Sequence, residues 1–162
     1  MTDRLKLVTW NINSVRLRMP IVEQLIEEVA PDVICLQETK CPDGSFPTKA
    51  FAERGYGHIA INGQKGYHGV AVLSRMPFTK TSTRDFCGKG DSRHIAVWLT
   101  GGIELHNFYV PAGGDEPDRK KNDKFAHKLD FVSEMTDWFS RRRSKRANKI
   151  VLLGDLDRKS VV

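Results

Sequence analysis

The sequence predicts an α/β domain built around a mixed, antiparallel-rich β-sheet. Three observations carry this reading. Residues 4–38 run strand, helix, strand; four further strand-like stretches follow between residues 58 and 110 with short links; and a last apolar strand, KIVLLGD, comes after a long amphipathic helix.

Taken in order, RLKLVTW (residues 4–10) alternates polar and apolar side chains, as a strand with two unlike faces does. At Pro20 the period changes, and Ile21, Val22, Leu25, Ile26 and Val29 form one helical stripe. Pro20 suits the first helical turn, and Pro31 ends the helix. DVICLQE is a short continuous apolar run, the pattern of a strand covered on both faces. Residues 41–57, rich in Gly, Pro and Asp, read as a loop. HIAIN, GVAVLS, HIAVWLT and GIELHNFYV then read as four strands. Phe125, Leu129, Val132, Met135 and Phe139 recur at helical spacing over about residues 123–142, and KIVLLGD closes the series as a buried strand. No repeat, low-complexity run or linker interrupts this order, so the chain is one domain or one piece of one.

Composition narrows the class. With 162 residues, 40% hydrophobic and 28% charged, the chain has enough apolar material for a core and is not a disordered segment. The N-terminus has no apolar stretch of signal-peptide length, and no uncharged run approaches a membrane span, so a soluble, cytoplasmic protein without a membrane partner is expected. Cys35, Cys41 and Cys87 are odd in number and form no C-x-x-C pair, which argues against a disulfide framework or a zinc site. A net charge of +6 is compatible with a polyanionic partner without requiring one.

Three strands end in residues that handle metals and phosphates: Trp10-Asn11-Ile12-Asn13, Gln37-Glu38-Thr39 and Gly154-Asp155-Leu156-Asp157. Residues two apart on a strand share a face, so Asn11 with Asn13, and Asp155 with Asp157, can project into one space. Clustered oxygen ligands suit a hard divalent ion such as magnesium. The same residue types also close ordinary strands, because turns favour them, and each strand end alone admits both readings. In GIELHNFYV the alternation puts Ile103, Leu105, Asn107 and Tyr109 on one face, where an amide and a phenol need partners if buried. In GQKGYHGVAVLS, Gly63, Gly66 and Gly69 surround Lys65, Tyr67 and His68, which fits both a phosphate-approaching loop and a plain turn. The basic runs DRKKNDK and SRRRSKR read as solvated helix ends.

Together WNINSVRLR, PDVICLQETK, GYHGVAVLS, FYVPAGG and LLGDL, in this order and spacing, resemble the exonuclease III family of apurinic/apyrimidinic endonucleases, within the endonuclease/exonuclease/phosphatase superfamily. The resemblance implies a four-layered α/β sandwich, two mixed sheets face to face with helices outside. It implies a magnesium-dependent nuclease, with manganese able to substitute, that incises duplex DNA at abasic sites and trims 3′ ends, working as a monomer. Carried across residue by residue, Glu38 matches the principal metal carboxylate with Asn11 beside it. Asp155 matches the acid that orients or deprotonates water and also reaches the metal, with Asp157 in the same set. Tyr109 matches the phenol at the scissile phosphate, and Asn107 falls where an asparagine is kept near that phosphate. Tyr67, His68 and Arg93 fall on DNA-binding positions. A phosphatase or phosphodiesterase acting on a small phosphoester, and a non-catalytic nucleic-acid-binding module, are the alternatives.

The chain also departs from the family. Its last strand has Asp157 where the pattern Gly-Asp-x-Asn ends, and no Ser-Asp-His motif follows Asp155. Residues 1–157 are therefore expected to be the N-terminal portion of one domain, truncated so that most of the second sheet is missing. The tail DRKSVV can be encoded by the start of a common sequencing-library adapter, so residues 157–162 are expected to be non-native. On that expectation an apolar sheet face lies uncovered, the chain aggregates, and it has little or no activity.

Overall fold

The computed structural model describes residues 4–143 and 149–157; the expected non-native tail lies, after Asp157, outside the described residues. Along the described chain run β1 (Leu7–Asn11), α1 (Met19–Val29), β2 (Val33–Gln37), α2 (Thr48–Ala52), β3 (His58–Asn62), β4 (Val70–Ser74), β5 (Phe78–Thr83), β6 (His94–Leu99), β7 (Ile103–Tyr109), α3 (Asp123–Arg143) and β8 (Lys149–Asp155). The strands form two four-stranded sheets, ordered β1-β2-β4-β3 and β5-β6-β7-β8. β1 with β2 and β7 with β8 are parallel pairs, and the other pairs are antiparallel. A parallel pair needs a crossover, and α1 and α3 supply the two.

α1 has Pro20 in its first turn and stops where Ala30, at φ +44°, turns left-handed just before Pro31. Its Val22 and Ile26 are buried against Ile34 and Leu36 of β2 and Leu73 of β4. The alternate residues of the same strands, Val33, Cys35, Val70 and Val72, meet Ile95 and Val97 of β6 and Leu105 of β7 between the sheets. Burial on both faces is why β2 and β4 read as unbroken apolar runs. On the far side, Phe131, Met135, Trp138 and Phe139 of α3 dock on Phe86 and Phe108. The stripe read from the sequence is rotated: Leu129 and Val132 are 38% exposed while Phe131 is 1% exposed. Aromatic side chains remove more apolar area from water than Leu or Val, so the aromatic face docks.

The four layers are thus those the resemblance implies. Four strands of the second sheet are present, so the described residues build two sheets where apolar periodicity read one. Two local facts hid the second. β5, FTKTST, is a polar, mostly exposed edge strand held by pairing with β6, so apolar periodicity does not reveal it. The chain also changes sheets after β4, where Ser74 Oγ donates to the Met76 carbonyl (2.7 Å) and accepts from the Met76 N–H (3.0 Å). Each sheet covers the inner face of the other, so the face a single sheet would expose is buried between them. The large exposed apolar side chains include Ile21 beside β1, and Leu152 and Leu156 on and after β8. The short helix α2 lies in the segment read as loop. Among the described residues no helix is long and apolar enough to cross a membrane.

Beneath α3 the second sheet carries a buried polar chain. His94 Nε2 lies 3.0 Å from His106 Nδ1, His106 Nε2 lies 2.9 Å from Glu104 Oε1, and the Arg142 guanidinium donates to the same Glu104 oxygen. Burial, reinforced by His106, Arg84 and Arg142, pushes the His94 imidazole from 6.5 down to about 3. Burial also holds His106 below its usual range against the pull of Glu104. Folded His94 therefore stays neutral in a window where the unfolded chain takes up a proton. Its contribution is full above pH 6.5 and is lost as pH falls from there towards 3, at about 1.4 kcal/mol per pH unit for one proton. Urea midpoints measured downward from pH 7.5 to 5 are expected to fall, and to fall less steeply in His94→Phe. An identical slope in the variant would remove His94 as the cause.

Candidate active site

The two parallel pairs bring the ends of β1, β2, β7 and β8 to one end of the sandwich. In register, Asn11 lies opposite Gln37 and Tyr109 opposite Asp155. The Asn11 amide bridges the sheets: its Nδ2 donates to Glu38 Oε1 (2.9 Å) on its own sheet and to Asp155 Oδ2 (2.6 Å) on the other. The Tyr109 hydroxyl donates to the same Glu38 Oε1 (2.7 Å). The other Glu38 oxygen, Oε2, is 3.0 Å from Lys40 Nζ, which also donates to Asn13 Oδ1 (2.5 Å). The second Asp155 oxygen, Oδ1, accepts from the Asp157 N–H (2.9 Å).

Strained backbone sets this geometry. Asn13, Glu38, Lys40 and His68 all have positive φ, between +46° and +53°, an arrangement that persists only where the surroundings hold it. Part of the hold is the pairing of Thr39 N–H with the Gly69 carbonyl (3.1 Å) and Lys40 N–H with the His68 carbonyl (3.0 Å). Gly69, at φ +88°, has to be glycine, since a Cβ there would collide with Thr39 Oγ1. Gly154 has the same need at the end of β8, where a Cβ would strike the backbone of Phe108.

The electrostatics separate the groups by protonation. Burial works against ionised Glu38, but hydrogen bonds from Asn11, Tyr109 and Lys40 outweigh it, and its carboxyl lies below the usual range. Burial pushes the Tyr109 phenol well up, and the hydrogen bond and charge of Glu38 add to this, so it keeps its proton. Burial and the Arg93 charge depress the His68 imidazole against the opposing pull of Asp91 and Glu38.

Not every expected residue stands where it was expected. Asn107 is fully buried between the sheets, with Nδ2 donating to the Leu36 and Ala71 carbonyls (2.9 Å each) and Oδ1 accepting from Gln37 Nε2 (2.7 Å). In this arrangement it ties the sheets together. Arg93, expected as a basic residue that supports the site and among the DNA-binding positions, is 9% exposed. Its guanidinium donates to Asp91 Oδ2 (3.0 Å) and to the Tyr109 carbonyl (3.3 Å), meets His68 Nε2 (2.8 Å), and lies over the Tyr109 ring. Asp157, expected in the metal set, has partners of its own. Its Oδ2 accepts from Lys128 Nζ (2.8 Å) and the Gly113 N–H (3.2 Å), so Lys128 offsets the second negative charge that the sequence puts near Asp155. Tyr67 stands out in solvent, 70% exposed, with its ring 6.2 Å from that of His68, which in turn lies 6.0 Å from Tyr109.

Lys40, Asp91 and Lys128 are the site neighbours that sequence reasoning missed. Lys40 had a signal, its place two residues after Glu38 in the ETK step; Asp91 and Lys128 had none, because they come from a loop and from α3.

The donor set is consistent with a hard ion. Two carboxylates and an amide, with no sulfur or imidazole among them, suit magnesium, which binds through one or two carboxylates and otherwise keeps water and phosphate oxygens. Among the described residues no group of three His, Cys, Asp or Glu side chains gathers as an all-protein cage.

Comparison with known proteins agrees with this fold. The model of the endonuclease/exonuclease/phosphatase family matches residues 8–158. Exodeoxyribonuclease III of Haemophilus influenzae is 31% identical over 159 residues, an alignment that takes in 94% of this chain and 57% of that protein. Among solved structures, a Neisseria 3′ phosphatase bound to a product DNA hairpin superposes with a TM-score of 0.82 at 30% identity, over 95% of this chain and 58% of that one. An AP endonuclease from Archaeoglobus fulgidus gives a TM-score of 0.79 at 30% identity, over 94% and 57%. The chain therefore spans a little over half the length of the relatives it matches.

Proposed function

The chain belongs to the endonuclease/exonuclease/phosphatase family, and on that premise we propose that it carries the carboxylate and phenol part of a magnesium-dependent DNA-repair nuclease. The substrate is duplex DNA, cut at abasic sites and 3′ ends, and the protein works as a cytoplasmic monomer. One observation carries the reading: a single amide, Asn11, joins the Glu38 and Asp155 carboxylates across the two sheets with the Tyr109 phenol on the same Glu38 oxygen.

Glu38, with Asn11 and Asp155, would hold the magnesium ion, or manganese in its place. When bound, the ion polarises a phosphoryl oxygen and stabilises charge on the leaving 3′ oxygen. Asp155, fixed by Asn11 and by the Asp157 N–H, aligns a water for in-line attack and takes its proton as the new O–P bond forms and the P–O3′ bond breaks. The 3′ oxygen leaves with a proton from solvent. Tyr109, still protonated, turns its one hydroxyl proton from Glu38 Oε1 to a phosphate oxygen when DNA binds. Arg93 and His68 keep its ring in place from behind. Exposed Tyr67 and Lys65 meet the backbone beside an abasic nucleotide displaced from the stack, contacts that give position rather than sequence preference.

The test is a duplex with one abasic site incubated with and without magnesium, beside phosphate release from a small phosphoester. From a protein of the relatives' full length, nicking that needs magnesium is expected, without release of phosphate from the small substrate. The opposite pattern would transfer the site to small phosphoesters, and salt-dependent DNA binding without either reaction would leave a binding module. We assign the activity to a protein of the relatives' length and expect little turnover from these 162 residues by themselves.

A further inference from the structure

We propose that Lys40 is a tethered counter-ion of this site, holding the Glu38 oxygen that a divalent ion needs and exchanging it for a substrate phosphate when the ion arrives. The proposal rests on the reading of Glu38 as a metal carboxylate and adds a coupling between ion and DNA that the reading does not contain.

The argument begins with the two oxygens of Glu38. Oε1 already accepts from Asn11 Nδ2 and the Tyr109 hydroxyl, so an incoming ion finds its place at Oε2. That oxygen faces the Lys40 ammonium at 3.0 Å. The second anchor of the ammonium is Asn13 Oδ1 at 2.5 Å, on the β1 side of the site. Lys40 thus spans the two strand ends whose neighbours, Asn11 and Glu38, are the proposed ligands.

Its backbone and side chain differ in freedom. The backbone is held by the bond from its N–H to the His68 carbonyl, at φ +52°. The side chain is 32% exposed on a flexible four-carbon stem, so it can move while its Cα stays. An ammonium is a compact charge with three donors and no planar fork, so exchanging a carboxylate for a phosphate oxygen costs it little geometry.

The charge then has a defined consequence. Without DNA, the ion must displace a resident positive charge and enter beside it, which weakens its binding. With DNA, the ammonium has a phosphate to go to, and the ion binds more tightly. Ion and DNA therefore bind with positive coupling, and linkage requires the effect to be reciprocal.

Calorimetric titration of Mn2+ into the chain, with and without a product duplex nicked at an abasic site, tests this free of turnover. Lys40→Met keeps the stem and removes the charge. It is expected to bind Mn2+ about tenfold more tightly than the unsubstituted chain when no DNA is present. It is also expected to lose the gain in affinity that the duplex brings. Lys40→Arg, which keeps the charge, is expected to behave as the unsubstituted chain does. An equal or weaker Mn2+ affinity in Lys40→Met, with or without a lowered melting temperature, overturns the proposal and leaves Lys40 a structural bolt between two loops. Tightening in Lys40→Arg as large as in Lys40→Met overturns it too, since charge would not be the cause. An unsubstituted chain that takes up no Mn2+ overturns the metal reading underneath, and this outcome is distinct from the other two.

Discussion

Glu38→Gln is expected to abolish phosphodiester cleavage, lowering the rate by about a thousandfold at the relatives' full length, and to weaken Mn2+ binding by about a hundredfold in the chain as it stands. Gln keeps the shape and can still accept from Asn11 and the Tyr109 hydroxyl through one oxygen. It removes the negative charge that Lys40 balances and that the ion would share. A loss of about 4 kcal/mol in transition-state stabilisation corresponds to the rate change. Stability should move little, because Glu38 is only part-buried and sits on backbone at φ +53° that Gln tolerates no worse. Calorimetry, a nicking assay and thermal melting separate the effects. Unchanged cleavage with unchanged ion affinity would sink the role given to this carboxylate, and with it the site.

Asn107→Leu is expected to do the reverse, lowering stability by about 3–5 kcal/mol, enough to drop the melting temperature by roughly 10 °C. The substitution takes the Asn107 donor from the Leu36 and Ala71 carbonyls at once, and leaves the Gln37 amide only Thr9 Oγ1 and the Cys35 carbonyl of its three acceptors, in a fully buried layer. Each buried group left without a partner costs about 1–3 kcal/mol, and the costs are not additive. A loss of this size is a large share of the roughly 5–15 kcal/mol by which domains are stable. Ion affinity should change less, through the shift of Glu38, the residue after Gln37. A variant that melts normally but no longer binds phosphate would restore Asn107 to the catalytic set and overturn its structural role.

These two residues also show how far the sequence could be read. Glu38 was legible because it belongs to an ordered set of motifs, and the fold places Asn11, Tyr109 and Asp155 around it. Asn107 was legible as a polar residue on the Tyr109 face but not as to its use, because one face of a strand can meet a phosphate at its end and a neighbouring sheet along its length. The 2.9 Å bonds to Leu36 and Ala71 come from strands 71 and 36 residues earlier, and no local pattern carries them. Arg93 was carried over from the resemblance as a basic residue supporting the site, but its partners Asp91, His68 and Tyr109 were not legible, since they come from separate segments of the fold.

The sequence by itself determined the order of most elements, the double burial of β2 and β4, the limits of α1 and the strand-end acids, since period, proline and glycine act over a few residues. The number of sheets, the edge strand β5, the face by which α3 docks and the partners of Asn107, Arg93 and Asp157 were decided only by tertiary structure. They depend on which surfaces compete to leave water and which buried polar groups find each other across tens of residues. The single-sheet expectation was overturned at residues 75–77, where the chain turns from one sheet into the other through a local Ser74–Met76 bond without any change in apolar period.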